Sequence, residues 1–357
     1  MSGSSKRRRV RRWSLERALA AMQMLQPLPP GALLALSDLS GERFEAWRAA
    51  WEALPAERRV ALAEQLRDAS ERHFVLDFNA IFAHTLSDQE VRVRLAAAEG
   101  LALEPSAAHI DVLTRTLAQD PSEAVRAAAA SALGVCMEAI ESGQLAPRWR
   151  EQVYRALMDA LRREAHGSLA YRRALEAVAC VSTEAVDWYI RDAYASEDDL
   201  LHLSAVTAMG LSHNPAYRPL VRAELHSISP AVRRAAARAC GNLDDEEAVQ
   251  DLVLLLEDPD EEVRQAALAG LADISARSAR EALERATRSA DEDLAARARE
   301  ALEMWLFWHA DLDEVSDALF RLMEFDEDAL RSTRVITPRI RRSLGGQSRD
   351  SHDAPSA

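Results

Sequence analysis

Catalysis and metal binding need groups that ionise, attack or coordinate, and this chain offers few of them at useful spacings. His309, Asp311 and Asp313 alternate across a turn, where one imidazole and two carboxylates could hold a cation. The same trio beside acidic helices is also ordinary surface, and no metal is assigned to it. His73 and Asp77 stand four residues apart and read as a local pair. No glycine-rich phosphate loop precedes a helix, since Gly345-Gly346 lies in a terminal stretch, and neither a G-x-S-x-G elbow nor a C-x-x-C pair occurs. Cys136, Cys180 and Cys240 are an odd number of thiols at apolar positions, which predicts reduced cysteines and a cytoplasmic protein. No catalytic residue and no cofactor is assigned. What remains is recognition chemistry. Arg172, Arg173, Glu176, Arg234, Arg238, Gln265, Arg297 and Glu300, with Tyr171 among them, form a charged set whose guanidinium forks could take a partner's carboxylates.

These residues share a register. Taking Arg264 as a mark and stepping by 31 residues lands on Tyr171, His202, Arg233 and Ala295; Arg94 and Arg126 mark two earlier copies, 32 residues apart. The residue three past each mark is always alanine: Ala97, Ala129, Ala174, Ala205, Ala236, Ala267, Ala298. Six past, it is alanine or glycine, and the positions one before and seven after are apolar. Small or apolar residues at −1, +3, +4, +6 and +7 define one face of an α-helix, and a fixed period of this size signals stacked repeats. Each copy therefore predicts a helix A, a tight turn and a helix B carrying the mark. The small residues at +3 and +6 let neighbouring helices approach where a leucine would overpack. The candidate docking residues occupy +1, +2 and +5, the solvent side of helix B.

A second pattern involves the turn. Asp88, Asp120 and Asp258 lie six residues before Arg94, Arg126 and Arg264, whereas Tyr171, His202 and Ala295 are preceded by Ala165, Ser196 and Ser289. The turn aspartate is expected to be held by the helix-B arginine, bridging to the next repeat. His202 then reads as a structural substitute for arginine. Arg233, with Ser227 six before it, is the mixed case. Asp120-Pro121 and Asp258-Pro259 suit an aspartate cap followed by a proline in the first helical turn.

The run D-P-x-x-x-V-R-x-x-A-x-x-A/G-L resembles the HEAT-like repeat, in the short form of phycobilisome-lyase-type and many bacterial HEAT proteins. The resemblance covers about residues 74–302 and implies an all-α superhelical solenoid, an armadillo-like stack of about seven helical hairpins. One enzyme built on such repeats, deoxyhypusine hydroxylase, is marked by His-Glu pairs, yet none of the nine histidines here precedes a glutamate. Other relatives attach or isomerise bilins.

Five segments are expected: a disordered basic tail (1–12), a helical N-terminal cap (13–73), the repeat array (74–302), an acidic C-terminal cap helix (303–330) and a second disordered basic tail (331–357). In the cap, Phe44, Trp47 and Trp51 fall on one helical stripe. Between the second and third marks the period stretches to 45 residues, so Glu138–Pro147 either lengthens helix B or protrudes as a loop. Net charge is −14, but residues 1–12 carry +6 and residues 331–357 carry +4, leaving −24 on the body. Such a body disfavours nucleic acid and keeps the protein in solution; only the tails could tether RNA, DNA or anionic lipid. The apolar runs are too short to span a bilayer.

The expected function is a non-catalytic scaffold or adaptor presenting a curved helical face to another protein. The alternatives are a bilin-lyase-type enzyme or enzyme accessory on the same scaffold, and nucleic-acid association through the basic tails.

Overall fold

The computed structural model describes residues 13–24, 26–73 and 75–309, and the basic tails and the 311–330 part of the acidic C-terminal stretch fall outside that range. Among the described residues the protein is all-helical: an α-solenoid. Four helices come first, α1 (Leu15–Met22), α2 (Pro30–Leu36), α3 (Gly41–Glu52) and α4 (Ala56–Arg72). Seven hairpins follow: α5 (Asn79–Thr85) with α6 (Val91–Leu101), α7 (Ile110–Gln119) with α8 (Glu123–Glu141), and α9 (Arg150–Arg163) with α10 (Leu169–Val178). The series continues with α11 (Glu184–Tyr194) and α12 (Asp199–Leu211), α13 (Arg218–Glu224) and α14 (Pro230–Asn242), α15 (Val249–Leu254) and α16 (Glu261–Asp273), and α17 (Arg277–Ala286) and α18 (Glu292–His309).

The even-numbered helices from α4 onward are the B helices, and each packs closely on the next, while successive A helices touch sparsely. That difference in spacing bends the stack with the B helices on its inner side. The tight side is made possible by small residues. A Cβ added at Gly134 would lie 2.8 Å from the Ala177 Cβ, and one at Gly210 would lie 2.6 Å from the Ala239 Cβ. In register terms, position +8 of one B helix sits on position +6 of the next. Ala102, Gly134, Ala179, Gly210, Gly241 and Ala272 are the +8 residues of the first six marks, and the last is Glu303. The constraint lapses on α18, the final B helix among the described residues. The buried residues form one continuous core from Ala18 to Leu306, as a stack with no central hydrophobic ball requires.

Local chemistry adjusts several expected boundaries. The first A helix begins at Asn79 rather than at residue 74, because the Asp77 carboxylate caps the Asn79 amide and the preceding turn is tied to Ser37 and Asp38. The stretched period is helix: α8 runs to Glu141, and the chain turns at Gly143 (φ +78°) before Pro147 leads into α9. The capping aspartate of α16 is Asp260, which accepts from the Glu262 and Val263 amides; Asp258 and Pro259 belong to the turn before it. The expected break after residue 302 is absent, since α18 continues to His309. Trp305 is buried there, its Nε1 donating to the Ile274 carbonyl at 2.8 Å, whereas Trp308 is exposed.

The pair α3 and α4 is built like the hairpins that follow. Trp47 and Trp51 of α3 are buried, as their stripe predicts, and α4 packs on α6 in the manner of a B helix. Its Arg59 donates to the Leu54 carbonyl at 2.8 Å and pairs with Asp88 at 2.9 Å. That arrangement repeats through the array.

Candidate functional site

At Arg94 the guanidinium is divided between two hairpins. Nη1 donates to the Asp88 and Gln89 carbonyls of its own turn, at 2.9 and 3.0 Å. Nε and Nη2 fork onto the Asp120 carboxylate of the next turn, at 2.7 and 3.1 Å. Arg126 binds the Asp120 carbonyl and forks onto Glu164; Arg233 binds the Ser227 carbonyl and forks onto Asp258. Arg264 holds the Asp258 carbonyl, but the equivalent residue ahead of it is Ser289. The expected pairs Asp88–Arg94, Asp120–Arg126 and Asp258–Arg264 thus meet through the aspartate's backbone carbonyl, while each carboxylate belongs to the preceding repeat's arginine. This explains Arg233: any residue at −6 can supply a carbonyl, so Ser227 suffices.

The turn carboxylates also organise their own loops. Asp88, Asp120 and Asp258 each accept the amide two residues ahead at 2.9 Å, and Ser196, Ser227 and Ser289 do the same through a hydroxyl. Serine keeps the turn but removes the charge. These pairs are largely dehydrated, with Arg94 12% and Asp120 6% exposed, which strengthens their charge-assisted hydrogen bonds. The Arg126 fork lowers the Glu164 carboxyl, and the Arg233 fork lowers Asp258. His202 does stand in for arginine. Its Nδ1 donates to the Tyr194 carbonyl at 2.9 Å, its ring stacks on Tyr194, and Nε2 lies 3.2 Å from Glu224.

The solvent side of the B helices forms a groove of about 470 Å³. Six of the nine expected docking residues line it: Arg172, Arg173 and Glu176 from α10, Arg234 and Arg238 from α14, and Gln265 from α16. Between them α12 contributes an uncharged floor of Leu203, Ser204 and Thr207. The strip is therefore two arginine pairs flanking a neutral saddle. Arg173 pairs with Glu176 at 2.5 Å and Arg234 with Glu262. Arg172 donates to the Gly167 carbonyl and has no carboxylate partner among the described residues, while the exposed Arg238 acts on the Asp273 carboxylate of α16 without a direct ion pair.

Three expected members are elsewhere. Arg297 and Glu300 lie on α18 beyond the groove, with Arg297 bound to Glu261 and Asp293. Tyr171 is a correction: it is 2% exposed and cannot meet a partner. The mark position points into the stack, where its ring contacts His166 and Tyr189 and burial pushes the phenol up to about 12. The −6 position of the next turn is Ser196 rather than an aspartate, and the carboxylate that acts on the phenol is Asp192, which adds to the upward shift.

A smaller hollow of about 190 Å³ continues the groove and shares Arg173 and Glu176 with it. Cys180 lines this hollow, and burial, with Glu141 and Glu138 nearby, pushes its thiol up to about 12. A thiol so hard to ionise is a poor nucleophile. Among the described residues no three His, Cys, Asp or Glu side chains gather as metal ligands would. Asp311 and Asp313 of the sequence-derived metal trio lie outside those residues. No helix among them is long and apolar enough to cross a membrane. The chemistry on offer is carboxylate recognition by guanidinium groups beside an uncharged floor.

Comparison with known proteins matches the family model described as HEAT repeats over residues 190–259 and 219–303, and that described as HEAT repeat over residues 110–140. No curated protein matches the chain. Among solved structures, the chain is similar to the complex of CpcE and CpcF of phycocyanin lyase from Nostoc sp. (18% identity, 69% of this chain and 94% of that one, TM-score 0.49). It is also similar to yeast importin-beta, Kap95p (14% identity, 87% of this chain and 48% of that one, TM-score 0.46), and to human deoxyhypusine hydroxylase (20%, 82% and 95%, TM-score 0.32).

Proposed function

We propose that this chain, matched by HEAT-repeat models over residues 110–140 and 190–303, acts as a non-catalytic scaffold, presenting the inner face of its B helices to a partner protein. The observation that carries the reading is the groove of α10–α16, which concentrates four arginines against two glutamates on a body of net charge −24. A local reversal of sign on a charged surface steers partners of the opposite charge and sets their register. The uncharged floor supplies area to bury, while the flanking guanidiniums confer selectivity for carboxylates. The free thiols Cys136, Cys180 and Cys240 support placing the protein in the reducing cytoplasm. We further assign residues 13–73 to an N-terminal cap and 74–302 to the array, with the cap contributing its own clamp through Arg59.

The test is affinity capture from the native host with the wild-type chain and with an Arg234→Glu/Arg238→Glu variant. A partner retained by the first and lost by the second, with unchanged thermal melting of the bait, supports the reading. Equal recovery by both baits removes the groove from the interaction.

A further inference from the structure

We propose that the acidic stretch 311–328 of this same chain occupies the arginine groove, so that the groove is covered from within until a more acidic partner displaces it. The proposal rests on the scaffold reading of the groove and adds its resting occupant. Three observations carry it.

The first is where the described chain ends. α18 packs against α16, and its last residue, His309, acts on the Asp273 carboxylate at the end of α16. The other cation acting on Asp273 is Arg238, a groove residue. The described chain therefore ends on α18, which packs against α16, the last helix to line the groove. The second is charge. Residues 311–328 hold eight acids against one arginine, Arg321. They begin two residues after His309, and the groove holds Arg172, which has no carboxylate partner among the described residues, and the exposed Arg238, which makes no direct ion pair there. The third is composition and reach. Leu312, Val315 and Leu319 are interspersed with Asp311, Asp313, Glu314 and Asp317, an alternation suited to a floor of Leu203, Ala231 and Ala235 between arginines. Eighteen extended residues span up to about 60 Å, against three helix-to-helix steps of about 10 Å each from α16 to α10. Tethering gives a local concentration on the order of millimolar, so individually weak ion pairs suffice for occupancy.

The test uses the full chain and a labelled synthetic peptide copying residues 311–328 as the probe. Its binding is compared between wild type and a variant carrying Asp311→Asn, Asp313→Asn, Glu314→Gln and Asp317→Asn. Self-occupancy predicts that the variant binds the probe at least about tenfold more tightly than wild type. Adding Arg238→Glu should abolish that gain, while Arg155→Glu on α9 should not. Equal affinity for wild type and variant overturns the self-occupancy and leaves the groove as an acidic-peptide site. No binding to either overturns both. A second readout exploits the single lysine, Lys6. In full-length Arg238→Lys, carbodiimide coupling should join position 238 to the 311–328 stretch within one chain. A cross-linked dimer would instead make a second copy the occupant and overturn the proposal.

Discussion

An arginine at the helix-B register position has two tasks, and they point in opposite directions along the stack. One nitrogen closes its own turn through backbone carbonyls, and the other two take a carboxylate from the turn ahead. Lysine could not do both, because the geometry uses the fork. Arg264 performs only the first task, since Ser289 stands where the acid would be. Ser289→Asp should therefore stabilise the protein by about 1 kcal/mol in urea denaturation, and the gain should vanish in an Arg264→Ala background. Stabilisation that persists without Arg264 would assign the effect to the turn alone. The clamps also set an acid limit. Arg126 and Arg233 hold Glu164 and Asp258 below the ordinary carboxylate values. That stability is fully present above the unfolded-state values near about pH 4 and is lost as pH falls through the lowered folded-state ones. Asp258→Asn should accordingly weaken the protein at pH 7 and flatten the decline in urea midpoint between pH 4.5 and 3; a parallel decline would exclude this carboxylate from the acid transition.

At the scale of the helix, the array depends on what is missing from side chains. Alanine at +3 and alanine or glycine at +6 were readable as close-packing positions, because only helix-to-helix contact explains such uniform smallness. The matching requirement at +8 is equally periodic, yet its reason appears only when the next B helix is in place. Gly210→Ala puts a methyl against Ala239 and should cost about 1–3 kcal/mol, whereas Glu303→Ala, the +8 residue of α18, should change stability by less than about 0.5 kcal/mol. Comparable melting temperatures for these two variants would show that the B helices have slack. Element length follows the same logic. The apolar periodicity of α8 carries it through Glu141, so the irregular spacing after Arg126 is a longer helix rather than a protrusion.

Across the whole molecule the clamps are unevenly distributed. Arginine–carboxylate forks join the hairpins from α3/α4 to α9/α10, and again from α13/α14 to α15/α16. Between α9/α10 and α11/α12 the register position is buried Tyr171 facing a turn with Ser196, and the next junction relies on His202. In a stack where each hairpin contacts only its neighbours, local stability tracks the interface at each step. Native-state hydrogen exchange should show amides of α11 opening at lower free energy than those of α15, although both lie inside the array. Equal protection of α11 and α15 would mean that apolar packing alone sets the stability.

Much of this protein could be read without a structure because its information is periodic. A repeat of 31 residues with fixed small and apolar positions determines helical hairpins, their number and their stacking face, since only a helix returns those positions to one side. The partners of the turn arginines and the fate of Tyr171 were decided by the tertiary structure. Residues 26 or 38 apart, such as Arg94 with Asp120 or Arg126 with Glu164, meet only after one hairpin lies on the next. Likewise a charged row at +1, +2 and +5 becomes a groove with a neutral saddle only when α12 brings Leu203 and Thr207 between the arginines. A one-dimensional pattern specifies which face of a helix is buried; which side chains share a surface depends on the stacking of helices distant in sequence.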